Sequence, residues 1–273
     1  MSAPLLQIKN LMVDAPGRRW RQPHHRILHG VDLSVGQGQT VGLVGESGSG
    51  KTTIGRVVLG LFPHTSGEVR FDGQPMPARR ERGAQVQAVF QDPYSSLNPA
   101  MTIGDILTEP LLAARWSRTD AQARISELLD RVAMPAGTLR RYPREFSGGQ
   151  RQRIAIARAL AREPRLIVCD EPVSALDLST QARVLDLLIE VQRDTGVALL
   201  FISHDLAVVR RISHRIAVIQ SGRIVEEGEV EQVADDPTHD YTRRLMTASP
   251  LPDPDRQAER RAAWLELTRT TKE

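Results

Sequence analysis

Gly45-Glu46-Ser47-Gly48-Ser49-Gly50-Lys51-Thr52 is the stretch on which the reading of this chain turns. An apolar run, Thr40-Val41-Gly42-Leu43-Val44, precedes it, and a stretch of helical character from Thr53 to Leu61 follows. Strand, glycine-rich loop, lysine, hydroxyl and helix in that order make a phosphate-cradling P-loop. Its glycines let backbone N–H groups converge on phosphate oxygens with no side chain in the way. The helix start adds partial positive charge at the same place. Lys51 is placed to reach the β- and γ-phosphates, and the Thr52 hydroxyl to help hold Mg2+, with Thr53 next in line at the helix start. The loop predicts a bound nucleoside triphosphate and leaves open what its hydrolysis drives.

Outward from the loop, the chain has the size and balance of an ordinary globular protein. Its 273 residues can bury a core as one domain, or as one domain with a subdomain. Apolar residues make up 40% and charged residues 25%, as in soluble domains generally. Aromatics are only 4%, and the formal charge of +3 comes from Lys and Arg scattered along the chain. Both features argue against a nucleic-acid surface, so no nucleic-acid partner is expected. The single cysteine, Cys169, excludes an internal disulfide and reads as a small buried thiol within Leu166-Ile167-Val168-Cys169. Met1 to Asn10 lacks a signal-peptide pattern, and no apolar run approaches the ~20 residues that span a bilayer. A cytoplasmic chain is expected, reaching a membrane only through partners.

The remaining elements read as alternating strands and helices. Leu5 to Val13 and Ile27 to Val35 are short strands that would form a β layer in front of the P-loop strand, with a polar loop from Asp14 to His25 between them. His24, His25 and His29 lack a nearby carboxylate or cysteine to complete a metal set and read as exposed. Glu68 to Phe71 and Val86 to Phe90 are strands, with a charged connection at Arg79 to Gly83. After Gln91 the character changes to a Pro/Ser/Asn loop, then to helical periodicity in Ile103 to Ala114 and Asp120 to Val132. Ser147-Gly148-Gly149-Gln150 opens a further helix. Leu166 to Cys169 is an unbroken apolar strand, as expected for burial on both faces. A helix from Thr180 to Asp194, a strand from Val197 to Ile202 and a hairpin around Ser221-Gly222 follow. The alternation predicts an α/β fold with a mostly parallel sheet. The tail from Asp235 is rich in proline and charge, with helical stretches near Tyr241 to Ala248 and Arg256 to Leu267.

Several chemistry-bearing residues fall at strand ends, where the P-loop also lies. Asp170 is placed to hold Mg2+, and Glu171 to orient or deprotonate an attacking water. His204 ends the next parallel strand and could bridge the γ-phosphate and Glu171. Gln91 ends another and could reach the metal or the water. Each of these alone would read as a surface or capping residue; together, behind a P-loop, they read as a site. Ser147-Gly148-Gly149-Gln150 is a second glycine-rich, anion-binding helix start. One nucleotide does not need two such cradles from one chain, whereas two chains facing head to tail would use both.

With these motifs in hand, the chain resembles the ATP-binding-cassette ATPases over about residues 5 to 230. The resemblance rests on Gly45 to Thr52 as Walker A, Gln91 as the Q-loop glutamine and Phe146-Ser147-Gly148-Gly149-Gln150 as the signature, with Phe where the family usually has Leu. Leu166 to Asp170 matches Walker B with Glu171 as catalytic carboxylate, Ser174-Ala175-Leu176-Asp177 the D-loop and His204 the switch histidine. It implies a RecA-like P-loop core over 1–91 and 147–230, fronted by an N-terminal antiparallel β layer, with an inserted helical subdomain over 92–146 and a tail over 231–273. It implies ATP and Mg2+ as ligands, with Gly45 to Thr53, Gln91, Asp170 and Ser147 to Gln150 around them and Lys51, Gln91, Glu171 and His204 in catalysis. Where the family has an adenine-stacking aromatic, this chain reads Val13-Asp14-Ala15, which leaves Trp20 as the candidate.

Val89-Phe90-Gln91-Asp92-Pro93-Tyr94-Ser95-Ser96-Leu97-Asn98-Pro99 is similar to the Q-loop of dipeptide and oligopeptide importers, a group that also includes nickel importers. The tail Asp236-Pro237-Thr238-His239-Asp240-Tyr241-Thr242-Arg243-Arg244-Leu245 is similar too, with Asp240 where proline is usual. The resemblance implies peptide import, or nickel import by the same mechanism, alongside a second related ATPase, two membrane permease subunits and an extracytoplasmic solute-binding protein. An iron–sulfur cluster is excluded by the cysteine count. A GTPase reading fails because the two asparagines, Asn10 and Asn98, are followed by Leu11 and Pro99 rather than by lysine. A cassette acting on DNA or the ribosome would need a longer insert or a second cassette.

Overall fold

The computed structural model describes residues 3–15, 25–92 and 96–248. Its strands are β1 (Leu6–Ala15), β2 (His25–Val35), β3 (Thr40–Val44), β4 (Ser66–Phe71), β5 (Gln74–Pro75), β6 (Val86–Phe90), β7 (Leu166–Asp170), β8 (Ala198–Ser203), β9 (Arg215–Gln220) and β10 (Arg223–Glu229). Its α-helices are α1 (Lys51–Leu59), α2 (Arg79–Gln85), α3 (Ile103–Ala113), α4 (Arg118–Arg131), α5 (Gly148–Leu160), α6 (Leu178–Thr195), α7 (Leu206–Ile212), α8 (Val230–Asp235) and α9 (Asp240–Ala248).

The strands form two sheets. One is four-stranded and antiparallel, in the order β2-β1-β4-β5. The other is six-stranded, in the order β10-β9-β3-β8-β7-β6, parallel throughout except for the β9–β10 hairpin. The antiparallel layer expected from the two N-terminal strands is therefore completed by β4 and β5, which come after the P-loop helix.

Burial explains why β7 and β8 carry no polar alternation. Leu166 and Val168 of β7 face the space between the two sheets, packing with Leu6, Ile8, Val31 and Leu43. Ile167 and Cys169 face the opposite side, among Ile154, Leu188, Leu199 and Phe201. A strand covered on both faces gains burial from every side chain, so the run is apolar throughout. Cys169 is fully buried, and desolvation pushes its thiol up to about 12, which makes it an inert packing residue.

Within the stretch from 92 to 146, the two helices expected from periodicity are present as α3 and α4. Thr102 caps α3 through Asp105, and Ser117 caps α4 by accepting from the Asp120 N–H. Leu107, Leu111, Leu128 and Leu129 pack there in one continuous core with α5 and α6.

Four elements depart from the sequence reading. Arg79 to Gly83, expected as a connection, belongs to helix α2. None of its residues is buried, so it has no apolar stripe; Arg82 secures it by donating to Pro77 O and to Val57 O and Val58 O at the end of α1. Helices α7 and α8 are short and were not anticipated; α7 is started by Asp205, whose carboxylate accepts from Ala207 N and Val208 N. The polar loop expected from Asp14 to His25 is shorter, because β1 runs on to Ala15 and pairs with His25. Trp20, His24 and the stretch Arg256 to Leu267 lie outside the described residues.

Candidate functional site

Parallel register brings the strand ends level. Val44 stands opposite Ser203, Asp170 opposite Ile202, and Phe90 opposite Asp170. The residues that follow each strand therefore leave the sheet at one edge: Gly45, His204, Glu171 and Gln91. A cavity of about 560 Å³ opens there, walled by Gly48, Lys51, Thr52, Thr53 and Glu171 on one side and by His25, Arg26 and His29 of β2 on the other.

Gly50 makes the loop possible. It caps α1 at φ 109°, in the left-handed region that favours glycine, and a Cβ there would sit 2.6 Å from Leu28 Cδ2. Helix α1 begins at Lys51, two residues earlier than the sequence suggested. Lys51 is 4% exposed, and its Nζ donates to Gly45 O at 2.6 Å and Glu46 O at 2.8 Å. Burial pulls its pKa down, opposed by the carboxylates of Glu171, Asp170 and Glu46. The ammonium is thus turned into the loop, with donor capacity left for an anion.

Behind the loop, Thr52 Oγ1 donates to Asp170 Oδ1 at 3.0 Å. Burial raises the Asp170 carboxyl above its usual range, with the Thr52 hydrogen bond opposing and the Glu171 charge adding to it. A hydroxyl and a desolvated carboxylate side by side are hard oxygen donors, the kind a Mg2+ ion takes. Glu171 follows at φ 49°, an uncommon conformation for a side-chain-bearing residue, and is held there as its N–H donates to Ile202 O at 2.9 Å. His204 Nδ1 lies 3.1 Å from Glu171 Oε1. The pairing expected between these two residues is therefore present, with Glu171 largely covered and His204 more than half exposed.

Two expected groups stand apart from the cavity. Gln91 is exposed and is not among its lining residues. The reason is position: β8 and β7 separate β6 from the P-loop strand, three strand spacings or about 14 Å. Ser147 to Gln150 is likewise absent from the lining. Ser147 caps α5, its hydroxyl accepting from Gln150 N while its own N–H donates to Gln150 Oε1. Gly149 is pressed against α6, where a Cβ would lie 2.2 Å from Thr180 Cγ2. The helix start thus faces away with Ser147 and Gln150 exposed. Phe146 is buried beneath it, with the Arg141 guanidinium 4.3 Å from its ring centre.

His25, Arg26, His29 and Ser221 were not anticipated in the cavity wall. His29 N donates to Gly222 O, which brings the β9–β10 turn against β2, and no local sequence signal announces that contact. Arg26 is oriented by Asp14, Nε to Oδ1 at 2.8 Å, which also raises its pKa through the hydrogen bond and the charge. That wall is thus built from β2 and the β9–β10 turn, with Asp14, of the Val13-Asp14-Ala15 region that lacks an aromatic, behind Arg26. Among the described residues no helix is long and apolar enough to cross a membrane.

Comparison with known proteins agrees with this geometry. Residues 28–174 match the family model described as "ABC transporter". The chain is 52% identical over 246 residues to the oligopeptide transport ATP-binding protein OppF of Lactococcus lactis subsp. lactis, covering 87% of this chain and 76% of that protein. It is 47% identical to the glutathione import ATP-binding protein GsiA of Pectobacterium atrosepticum, over 93% of this chain but 42% of that longer protein. Among solved structures, a post-hydrolysis dimer of the ATP-binding cassette MJ0796 bound to ADP and Pi superposes with a TM-score of 0.72 at 28% identity, over 82% of this chain and 98% of that one. A P-loop at the edge of a parallel sheet, with a carboxylate and a histidine paired beside it and a capped glycine-rich helix start facing away, belongs with that match: the chain is an ATP-hydrolysing member of the ABC transporter family.

Proposed function

We propose that this chain is an ATPase subunit that powers peptide import across the cell membrane, acting from its cytoplasmic face. The observation that carries the reading is the 52% identity to an oligopeptide transport ATP-binding protein across 87% of the chain. The expected assembly contains a second, related ATPase, two membrane permease subunits and an extracytoplasmic solute-binding protein. Residues 92–146 act as the helical subdomain that meets the permeases, beside the core of 1–91 and 147–230, and 231–273 form the tail.

In this reading ATP lies between the P-loop of one chain and Ser147 to Gln150 of its partner, in a head-to-tail pair. The outward-facing Ser147 and Gln150 support that arrangement, as does the dimeric state of the MJ0796 cassette. Backbone N–H groups of Gly48 to Thr53 hold the phosphates, and Lys51 supplies the charge. Thr52 and Asp170 would hold Mg2+, which would neutralise charge on the β- and γ-phosphates when bound. Glu171 accepts the proton of the attacking water, and His204 keeps its carboxylate aimed while reaching toward the γ-phosphate. Gln91, at the junction of β6 with the helical subdomain, is carried toward the site as the subdomain moves on pairing, which would tie the subdomain's position to catalysis. Trp20 is the candidate for stacking on adenine.

The test is reconstitution with the permeases and binding protein of the same transporter. ATP hydrolysis should rise when the binding protein is loaded with a di- or oligopeptide. The nickel reading is favoured by GsiA-like and OppF-like relatives no more than by any peptide-type cassette, so stimulation by a nickel complex and not by peptides would replace the peptide assignment.

A further inference from the structure

The segment after β10 has no part in the chemistry above, yet it reaches the P-loop. Glu226 of β10 anchors it, accepting from Thr238 N at 2.7 Å, Thr238 Oγ1 at 2.9 Å and His239 N at 3.1 Å. Arg243 closes the turn from the other side, donating to Pro237 O and Thr238 O, each at 3.0 Å. Tyr241 N donates to His239 Nδ1 at 3.1 Å, which fixes the first turn of α9. Tyr241 and Met246 then enter the core with Val230, Val233 and Ala234 of α8.

Tyr241 is 3% exposed, and its hydroxyl accepts from the Glu46 N–H at 3.0 Å across 195 residues of sequence. That N–H belongs to the peptide joining Gly45 to Glu46. The carbonyl of the same peptide, Gly45 O, accepts from Lys51 Nζ at 2.6 Å. One peptide plane at the entrance to the P-loop is thus gripped on its carbonyl side by the phosphate-binding lysine and on its amide side by the tail. A plane held at both ends cannot rotate without breaking one of the two contacts.

We propose that Tyr241 is a positioning residue for the P-loop and that docking of α9 sets the affinity for ATP. The inference rests on Gly45 to Thr52 being the phosphate-binding loop. Preorganising the Gly45–Glu46 peptide removes an ordering cost that ATP would otherwise meet on binding. Linkage makes the effect reciprocal: whatever shifts α9 changes ATP affinity, and ATP changes the docking of α9 by the same factor. The anchoring from Glu226 through Thr238 to Tyr241 thereby acquires a role: it carries the tail onto the nucleotide site.

The experiment compares full-length wild type, Tyr241→Phe and Lys51→Ala. Tyr241→Phe keeps the packed ring and deletes only the acceptor, so the melting temperature should fall by no more than about 2–4 °C while the ATP Kd rises about two- to tenfold, the worth of one neutral hydrogen bond. Amide hydrogen exchange at Glu46 should speed up, with the amides of β3 unchanged. A change in fold alone would move both. In wild type, ATP should slow exchange in α9 as well as in the loop, a measurement that needs no variant. Unchanged ATP affinity and unchanged Glu46 exchange in Tyr241→Phe overturn the proposal. Undiminished ATP binding by Lys51→Ala would instead unseat the P-loop assignment beneath it.

Discussion

Replacing Glu171 with glutamine takes away one proton acceptor and almost nothing else. The side chain keeps its length and shape, and the backbone stays at φ 49° because the Glu171 N–H still donates to Ile202 O. His204 Nδ1, 3.1 Å from Oε1, can still donate to the amide oxygen, so the pair survives. The glutamine amide, however, cannot accept a proton from water. Loss of a positioned general base costs about a hundred- to ten-thousandfold in rate, or about 3–5 kcal/mol of barrier. ATP binding should not weaken: the lysine, the loop amides and Asp170 are untouched, and one negative charge has left a cavity that must take a polyphosphate. The assay is single-turnover phosphate release from the assembled ATPase pair, with the ATP Kd measured in parallel. The variant should hold ATP and accumulate as a closed pair. Turnover within tenfold of wild type, at unchanged ATP occupancy, would refute the assignment of Glu171 as base.

Three further outcomes follow from the same geometry. Gly149→Val puts a side chain where Thr180 Cγ2 would lie 2.2 Å from Cβ, so the start of α5 must move off α6; unfolding should show a loss of about 1–3 kcal/mol, and hydrolysis by the pair should fall while ATP binding by the isolated chain persists. Trp20→Ala should raise the ATP Kd about five- to tenfold, by analogy with the worth of stacking a base on an aromatic ring; an unchanged Kd, read by fluorescence of a labelled ATP, would leave the base to the β2 wall. Asp177, which caps α6, is held down to about 2 by hydrogen bonds from Ser179 and Thr180. Its folded value lies below its unfolded one, so its contribution is present above the ordinary Asp range and is lost as pH falls through about 2. Its carboxyl carbon should titrate near that pH by NMR, and a midpoint near 4 would mean the cap is absent.

Much of the fold could be read from residues alone, because the periodicities and caps are local. The glycine pattern at 45–50, the unbroken apolar run Leu166 to Cys169, the helical periodicity of Ile103 to Ala114 and Asp120 to Val132, and Ser147 at a helix start each announce an element in a few residues. Helix α2 could not be read this way: it lacks an apolar stripe and is held by Arg82 reaching the end of α1. Nor could the membership of β4 and β5 in the first sheet, which depends on β4 pairing with β1 across the whole P-loop segment and on β5 pairing with β4.

The sequence by itself determined that a phosphate loop, two acids, a histidine and a second glycine-rich helix start are present, since each motif is contiguous and its chemistry follows from residue type. Tertiary structure decided which of them meet. Parallel register sets Thr52 against Asp170 and His204 against Glu171, and strand order keeps Gln91 three strands from the loop. Burial of Gly149 against α6 turns Ser147 and Gln150 outward. The β2 wall and the tail tyrosine on the P-loop amide come from residues far apart in the chain, and only packing brings such residues within a hydrogen bond of each other.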